Sequence, residues 1–311
     1  MSGVSKINGI ALANVAKVDG IAIANVGKVS GITVPAAGPT FTTDKLLIWY
    51  DAALESSGAT TLSNRVDGTL TGAIVQDGHG AIRRGSASVQ SIDSTQAMYL
   101  DGVNDSFYKR AYFSALDGSG EGNHGTSTFG VLKGETSGSS ATTDPSTQAF
   151  EETGFTIEVW YRTNGNFLNN GNLWSFYSNN GIRTRFNSSG VRWFYTQSSG
   201  VMSSGWGTYS TNTWYHDVTT VGAPGADGSS SGNHTIKLYV NNSLVQGLTS
   251  KNLSPSNYFR DFMLFGGSRL SGSSVIEDFR GYYAIVRVYH KALSSSEVTA
   301  NYNAEKSRYG Y

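Results

Sequence analysis

Residues 155–162 read FTIEVWYR, and this alternation constrains the chain more than any other single feature. In an extended backbone, Phe155, Ile157, Val159 and Tyr161 share one face while Thr156, Glu158, Trp160 and Arg162 share the other. That period of two is the signature of a strand. Similar runs recur along the chain: LLIWYDA from Leu46, AMYLDGVNDSFYK from Ala97, VRWFYTQ from Val191, TWYHDVTTV from Thr213, HTIKLYVNN from His234, FMLFGG from Phe262 and YYAIVRVYH from Tyr282. Clusters of Gly, Ser, Asn and Asp separate them, as turns between short strands require. The expected class is all-β, an antiparallel two-sheet jelly-roll sandwich, because many strands with one continuous core imply two packed sheets. Asn241-Asn242 reads as a hairpin turn, since Asn tolerates a left-handed backbone. One short C-terminal helix is expected after Ser294, with Glu297 completing a capping box and Val298 and Tyr302 forming its apolar stripe.

The first 34 residues are organised differently. KINGIALANVA, KVDGIAIANVG and KVSGIT repeat every eleven residues, with Lys6, Lys17 and Lys28 in register, then Gly9, Gly20 and Gly31. An eleven-residue period also suits a right-handed helical supercoil, but each unit carries a Gly and several β-branched residues and no Glu. The strand reading explains more: Asn8-Gly9, Asp19-Gly20 and Ser30-Gly31 are two-residue hairpin turns, joined by nine-residue strands 10–18 and 21–29. Val18 would then face Ile21, Ala16 would face Ile23 and Asn14 would face Asn25. A ribbon this thin buries little by itself, so Ile10, Leu12, Ile21 and Ile23 are candidate assembly residues; a flexible low-complexity arm is the alternative. Residues 35–43 read as a linker, and the main domain is expected from Asp44 to Tyr311, with an insertion at 111–154 rich in Ser, Thr and Gly.

The balance of charge removes some partners. Lys+Arg and Asp+Glu both total 23, and the basic residues are scattered, which gives no electrostatic footprint for nucleic acid. Cysteine is absent, so disulfides, zinc–thiolate sites and cysteine nucleophiles are excluded. Lys17, Lys28 and the glycine turns interrupt the apolar stretch at 7–34, so no membrane span is expected, and no signal peptide is read at the N-terminus.

The ordered set LLIWYDA, YLDGVND, FTIEVWYR, TWYHDV, IKLYVNNSLV, LFGG and FRGYYAIVRVYHKALSSSEVTANYN resembles laminin G-like members of the concanavalin A-like lectin/glucanase superfamily over residues 44–311. The resemblance implies a jelly-roll of two curved sheets. The chain departs from the family pattern in having Asn241-Asn242 where Asp-Gly is frequent, and in the long segment 111–154. The eleven-residue repeat ahead of such a domain is similar to virion proteins of tailed bacteriophages. That resemblance implies a location on a virus particle, with other virion proteins, a second copy of the chain and a cell-surface glycan as partners.

Candidate chemistry is sparse. Glucanases of this superfamily place carboxylates on alternate positions of one strand, whereas the comparable strand here offers Glu158 between Thr156 and Trp160. Hydrolysis ordinarily needs two such groups, so no catalytic residue is assigned and the chain is expected not to be an enzyme. The histidines (His79, His124, His216, His234 and His290) lack metal-ligand spacing and are expected at the surface or at strand edges. Asp101, Asn104 and Asp105 are oxygen donors of the kind calcium takes, yet the same residues are ordinary turn chemistry; no metal site and no cofactor are assigned. Trp206 and Tyr209, in the loop SSGWGTYSTN, are the candidate ligand-binding aromatics, because no strand pattern claims them.

Overall fold

The computed structural model describes residues 41–66, 69–71, 73, 81–110, 154–176, 182–196, 200–203, 209–223, 225–226, 233–251, 262–267, 269–271, 274–276 and 278–311, with six two-residue strands before residue 34. For those six strands and for residues 82–84, 108–110, 176, 195–196, 200–203, 250–251, 262–264, 269–271 and 274–276, the backbone alone is described.

The six short strands are β1 (Lys6–Ile7), β2 (Ile10–Ala11), β3 (Lys17–Val18), β4 (Ile21–Ala22), β5 (Lys28–Val29) and β6 (Ile32–Thr33). Among the described residues they pair antiparallel as three hairpins across the expected turns, and Val18 lies opposite Ile21 as the repeat requires. The rest of the nine-residue strands lies outside the described residues, as do Leu12, Ile23 and the side chains of Ile10 and Ile21.

The remaining strands build two antiparallel sheets. One has eight strands, in the order β19 (Ser243–Lys251), β18 (His234–Val240), β17 (Trp214–Val221), β12 (Phe155–Thr163), β23 (Arg280–Tyr289), β10 (Thr95–Asp101) and β9 (Ser88–Ile92). Its eighth strand, β7 (Leu46–Asp51), pairs with the second half of β23, whereas β10 pairs with the first half. The other sheet has seven: β16 (Gly200–Ser203), β15 (Arg192–Thr196), β14 (Arg183–Phe186), β13 (Asn172–Phe176), β20 (Phe262–Phe265), β11 (Ser106–Arg110) and β8 (Ala81–Arg84). A small hairpin of β21 (Arg269–Ser271) and β22 (Ser274–Ile276) stands apart from both sheets.

The main core lies between the sheets. Phe155, Ile157, Val159 and Tyr161 point into it from β12 and meet Leu173, Trp174, Phe186, Phe194 and Phe265 from the facing sheet. Aromatic rings interlock edge-to-face there, as in Phe107 against Tyr283 at 5.1 Å and 85°, a geometry their quadrupoles favour. The alternation of β12 therefore sorts its residues as expected. What it does not foretell is that Thr156, Glu158 and Trp160, on the opposite face, are fully buried as well.

Their cover is the C-terminus. Helix α1 (Ser295–Glu305) starts at a complete capping box, Ser294 Oγ accepting from Glu297 N while Glu297 accepts from Ser294 N, and a 3-10 turn (Lys306–Tyr309) follows. The helix buries Val298 as expected, but its other buried residues are Asn301 and Glu305. Two small cores form beneath it, one containing Phe41, Val218, Tyr289, Leu293 and Val298, the other Trp160, Trp214, Ile285 and Tyr309. Phe41 and Thr42, read from sequence as linker, belong to this packing: Thr42 N donates to Asn301 Oδ1 (2.8 Å) and Tyr289 Oη donates to Thr42 O (3.2 Å). The Arg287 guanidinium lies 3.7 Å from the centroid of the Phe41 ring, a cation–π contact. The expected insertion at residues 111–154 falls outside the described residues except for Gly154, whose φ of +76° and close approach to Val221 O leave no room for a Cβ.

Candidate functional site

Glu158 is the natural starting point, because its strand is where a glucanase would carry its carboxylates. The side chain is fully buried beneath α1. Oε1 accepts from Arg287 Nη1 (2.9 Å) and lies 2.9 Å from His216 Nε2, while Oε2 accepts from Asn301 Nδ2 (2.6 Å) and lies 3.4 Å from Tyr289 Oη. Arg287 also pairs with Glu305, Glu305 with Arg308, and both terminal nitrogens of Arg308 with Asp51 (2.8 and 2.9 Å). Burial alone would raise the Glu158 pKa, but Arg287, His216 and Asn301 outweigh it and hold the carboxyl down at about 2. A carboxylate so stabilised is a poor proton donor. Its geometry fastens the helix to the sheet.

A second buried ion pair spans the two sheets. Arg192 Nη1 of β15 lies 2.8 Å from Asp217 Oδ2 of β17, both side chains wholly buried, and Arg192 Nη2 donates to Thr219 Oγ1 (3.0 Å). Here burial prevails over the guanidinium, and the Asp217 pKa rises to about 6. Tyr209, expected as an exposed aromatic, belongs to this interior: it is 5% exposed, with its ring edge-on to Tyr215 (5.0 Å) and Phe186 (5.5 Å). The Gly/Ser-rich composition of its loop concealed a notch between those two rings that only a large side chain fills. Trp206 lies outside the described residues.

The turn after β10 uses its oxygens internally. Asp105 is fully buried and accepts from Ser86 N (2.5 Å) and Asp101 N (2.9 Å); Asp101 accepts from Val103 N (2.6 Å), and Asn104 N donates to Asp278 Oδ2 (2.9 Å). Among the described residues no group of three or more His, Cys, Asp or Glu is arranged to hold a metal ion. Of the histidines expected at the surface or at strand edges, His216, His234 and His290 are at most 4% exposed; His234 opens β18 and His290 follows β23, and His234 Nδ1 lies 2.8 Å from Gly222 O. His79 and His124 lie outside the described residues.

Sequence reasoning missed an aromatic group at the C-terminus. Trp160, on the outer face of β12, stacks with Tyr309 (4.2 Å, 22°) and Tyr302 (5.8 Å, 10°), and Tyr311 leans against it at 6.1 Å. The available signal was the spacing of Tyr302 and Tyr309, seven residues apart, two turns of a helix.

Among solved structures, the fold is similar to Trypanosoma rangeli sialidase in complex with sialic acid, at 13% identity and TM-score 0.53, over 93% of this chain and 37% of that one. It is also similar to the binding domain of Paraclostridial Mosquitocidal Protein 1, at 13% identity and TM-score 0.51, over 84% of this chain and 52% of that one. The chain thus spans about a third of the sialidase's length and half of the binding domain's. No curated protein matches it. A family model described as the concanavalin A-like lectin/glucanases superfamily matches residues 134–299. With more than half of its length matched and the paired antiparallel sheets in place, the chain belongs to the concanavalin A-like lectin/glucanases superfamily.

Proposed function

We propose that the chain is a structural subunit of a tailed-phage particle, a decoration, fibre or appendage protein whose sandwich binds surface glycans. One contrast carries the reading. The sandwich holds three hydrophobic cores among its described residues, whereas the described part of the N-terminal repeat is short two-stranded hairpins, and a thin β-ribbon is marginal alone. Such hairpins gain stability by packing against other protein, and a particle supplies that surface. The fold of the sandwich, which the chain shares with the binding domain of a mosquitocidal protein at TM-score 0.51, suits a lectin-like role. A free carbohydrate-binding adhesin is the second reading, and it leaves the repeat without a task.

Deleting residues 1–34 tests the attachment. The truncated protein should unfold at the same temperature as the full chain and fail to join the particle; incorporation at the full level would overturn the reading. The sandwich is further proposed to act without turnover. Glu158 is sealed from solvent and held ionised, so the protein should release no reducing sugar from β-glucans. Release that vanished in Glu158→Gln would overturn that part.

A further inference from the structure

We propose that Tyr302 and Tyr311 form an aromatic platform that receives the apolar face of a pyranose ring. The inference rests on the glycan-binding reading above and says where the sugar sits. Tyr311 is 43% exposed and Tyr302 half-buried. Their ring centroids are 6.0 Å apart and their planes meet at 59°, and the buried Trp160 packs against both, at 5.8 and 6.1 Å. The electron-rich ring faces attract the C–H groups along one side of a pyranose, an affinity of the same origin as their attraction for cations.

Both rings are fixed before any ligand arrives. Tyr302 lies parallel to Trp160, against which Tyr309 also stacks. The Tyr311 hydroxyl donates to Trp214 O and accepts from Asn241 Nδ2 (3.0 Å). Rings already held in place lose little freedom on binding.

The rim supplies groups that suit sugar hydroxyls. Asn241 and Asn242 form the β18–β19 turn, both with positive φ (48° and 68°). Thr299 Oγ1 donates to Asn242 Oδ1 (2.8 Å), which ties the turn to α1. Lys306 holds its ammonium 5.6 Å from the centre of the Tyr302 ring. Apolar ring faces edged by amides and an ammonium fit an amphipathic ligand, with C–H groups on one side and hydroxyls around its edge. A purely aliphatic partner would strip water from that rim without offering it hydrogen bonds.

The experiment uses the full chain, with laminaritetraose, galactotetraose, arabinotriose and sialyllactose titrated to about 10 mM, beyond the weak end of specific recognition. At least one should bind. Tyr302→Leu and Tyr311→Leu should each weaken it by about tenfold, while Tyr209→Phe should not change it. If a sugar binds and the double leucine variant still binds it within about twofold, the platform is wrong and the glycan reading stands. If none binds the unaltered protein, the glycan reading fails and the platform with it. Should the double variant not fold, intermolecular nuclear Overhauser effects in the unaltered protein decide. Contacts from sugar C–H to the Tyr302 and Tyr311 rings support the platform, and contacts confined to other aromatic residues overturn it.

Discussion

Glu158 and Asp217 are both fully buried carboxylates facing an arginine on another strand, Glu158 within its own sheet and Asp217 across the sandwich, yet burial leaves them in opposite conditions. Glu158 sits where a helix, two strands and a capping segment converge, and Arg287, His216, Asn301 and Tyr289 surround it. Asp217 sits between two sheets among Tyr161, Tyr209 and Tyr215, with Arg192 as its charged partner. The first is held down at about 2 and the second pushed up to about 6. An opposite charge alone does not make a buried carboxylate comfortable; the number of donors aimed at it decides.

The largest expected effect comes from breaking the better-satisfied site. Glu158→Gln turns an amide toward donors that need an acceptor, and should cost about 3–5 kcal/mol in chemical denaturation. Asp217→Asn gives up a carboxylate that burial already raises to about 6 but leaves the buried Arg192 guanidinium facing a neutral amide, and should cost about 2–3 kcal/mol. Equal losses would mean that donor count is not what separates the two sites.

Acid sharpens the contrast further. Glu158 has a folded pKa below its ordinary 4.5, so its stabilisation is present above pH 4.5 and is lost as the pH falls toward 2. Asp217 has a folded pKa above its ordinary 3.8, so the folded protein takes up a proton there first, and stability falls as the pH rises from about 4 to 6. Thermal melts across pH should show Glu158→Gln flattening the lower limb and Asp217→Asn the upper one. An Asp217→Asn profile identical to that of the unaltered chain between pH 4 and 6 would contradict the assignment.

A third carboxylate extends the series. Asp105 is satisfied by backbone amides in place of an arginine, and Gly85 makes room for it with a φ of +66°. A Cβ at Gly85 would fall 2.1 Å from Asp105 Oδ1 and 2.7 Å from Asn104 O. Gly85→Ala should therefore cost about 1–3 kcal/mol, and a neutral result would show that the turn can move aside. The smallest effect is expected from Ser294→Ala, which removes the cap of α1 for about 1 kcal/mol. Amide exchange should then quicken in α1 and leave β15 and β17 around Asp217 unchanged.

The legibility of the chain follows the same division. Period two in FTIEVWYR placed Phe155, Ile157, Val159 and Tyr161 in the core because burial on one side of a strand is a local pattern. The burial of Glu158 and Trp160 was not readable, because their cover is a helix far along the chain whose inward face includes Asn301 and Glu305. A polar inward stripe looks like a solvated face until its partners on another strand are known. Asp217 was hidden in the same way: nothing near it in sequence announces Arg192 across the sandwich. Tyr302 and Tyr311 escaped because the helix pattern weighed Tyr302 as part of a buried stripe and gave no weight to the residues after Glu305.

The seam at Thr42 determines how tension would travel through the molecule. The chain leaves the sandwich there held by Asn301 of α1 and Tyr289 of β23, and β23 is flanked by β12 on one side and by β7 and β10 on the other. A tug on the N-terminal arm therefore reaches an interior strand of the eight-stranded sheet and the helix lying on it. The edge strands β19 and β9 stand aside from that line of force, which runs through β7, a strand paired with β23 among the described strands.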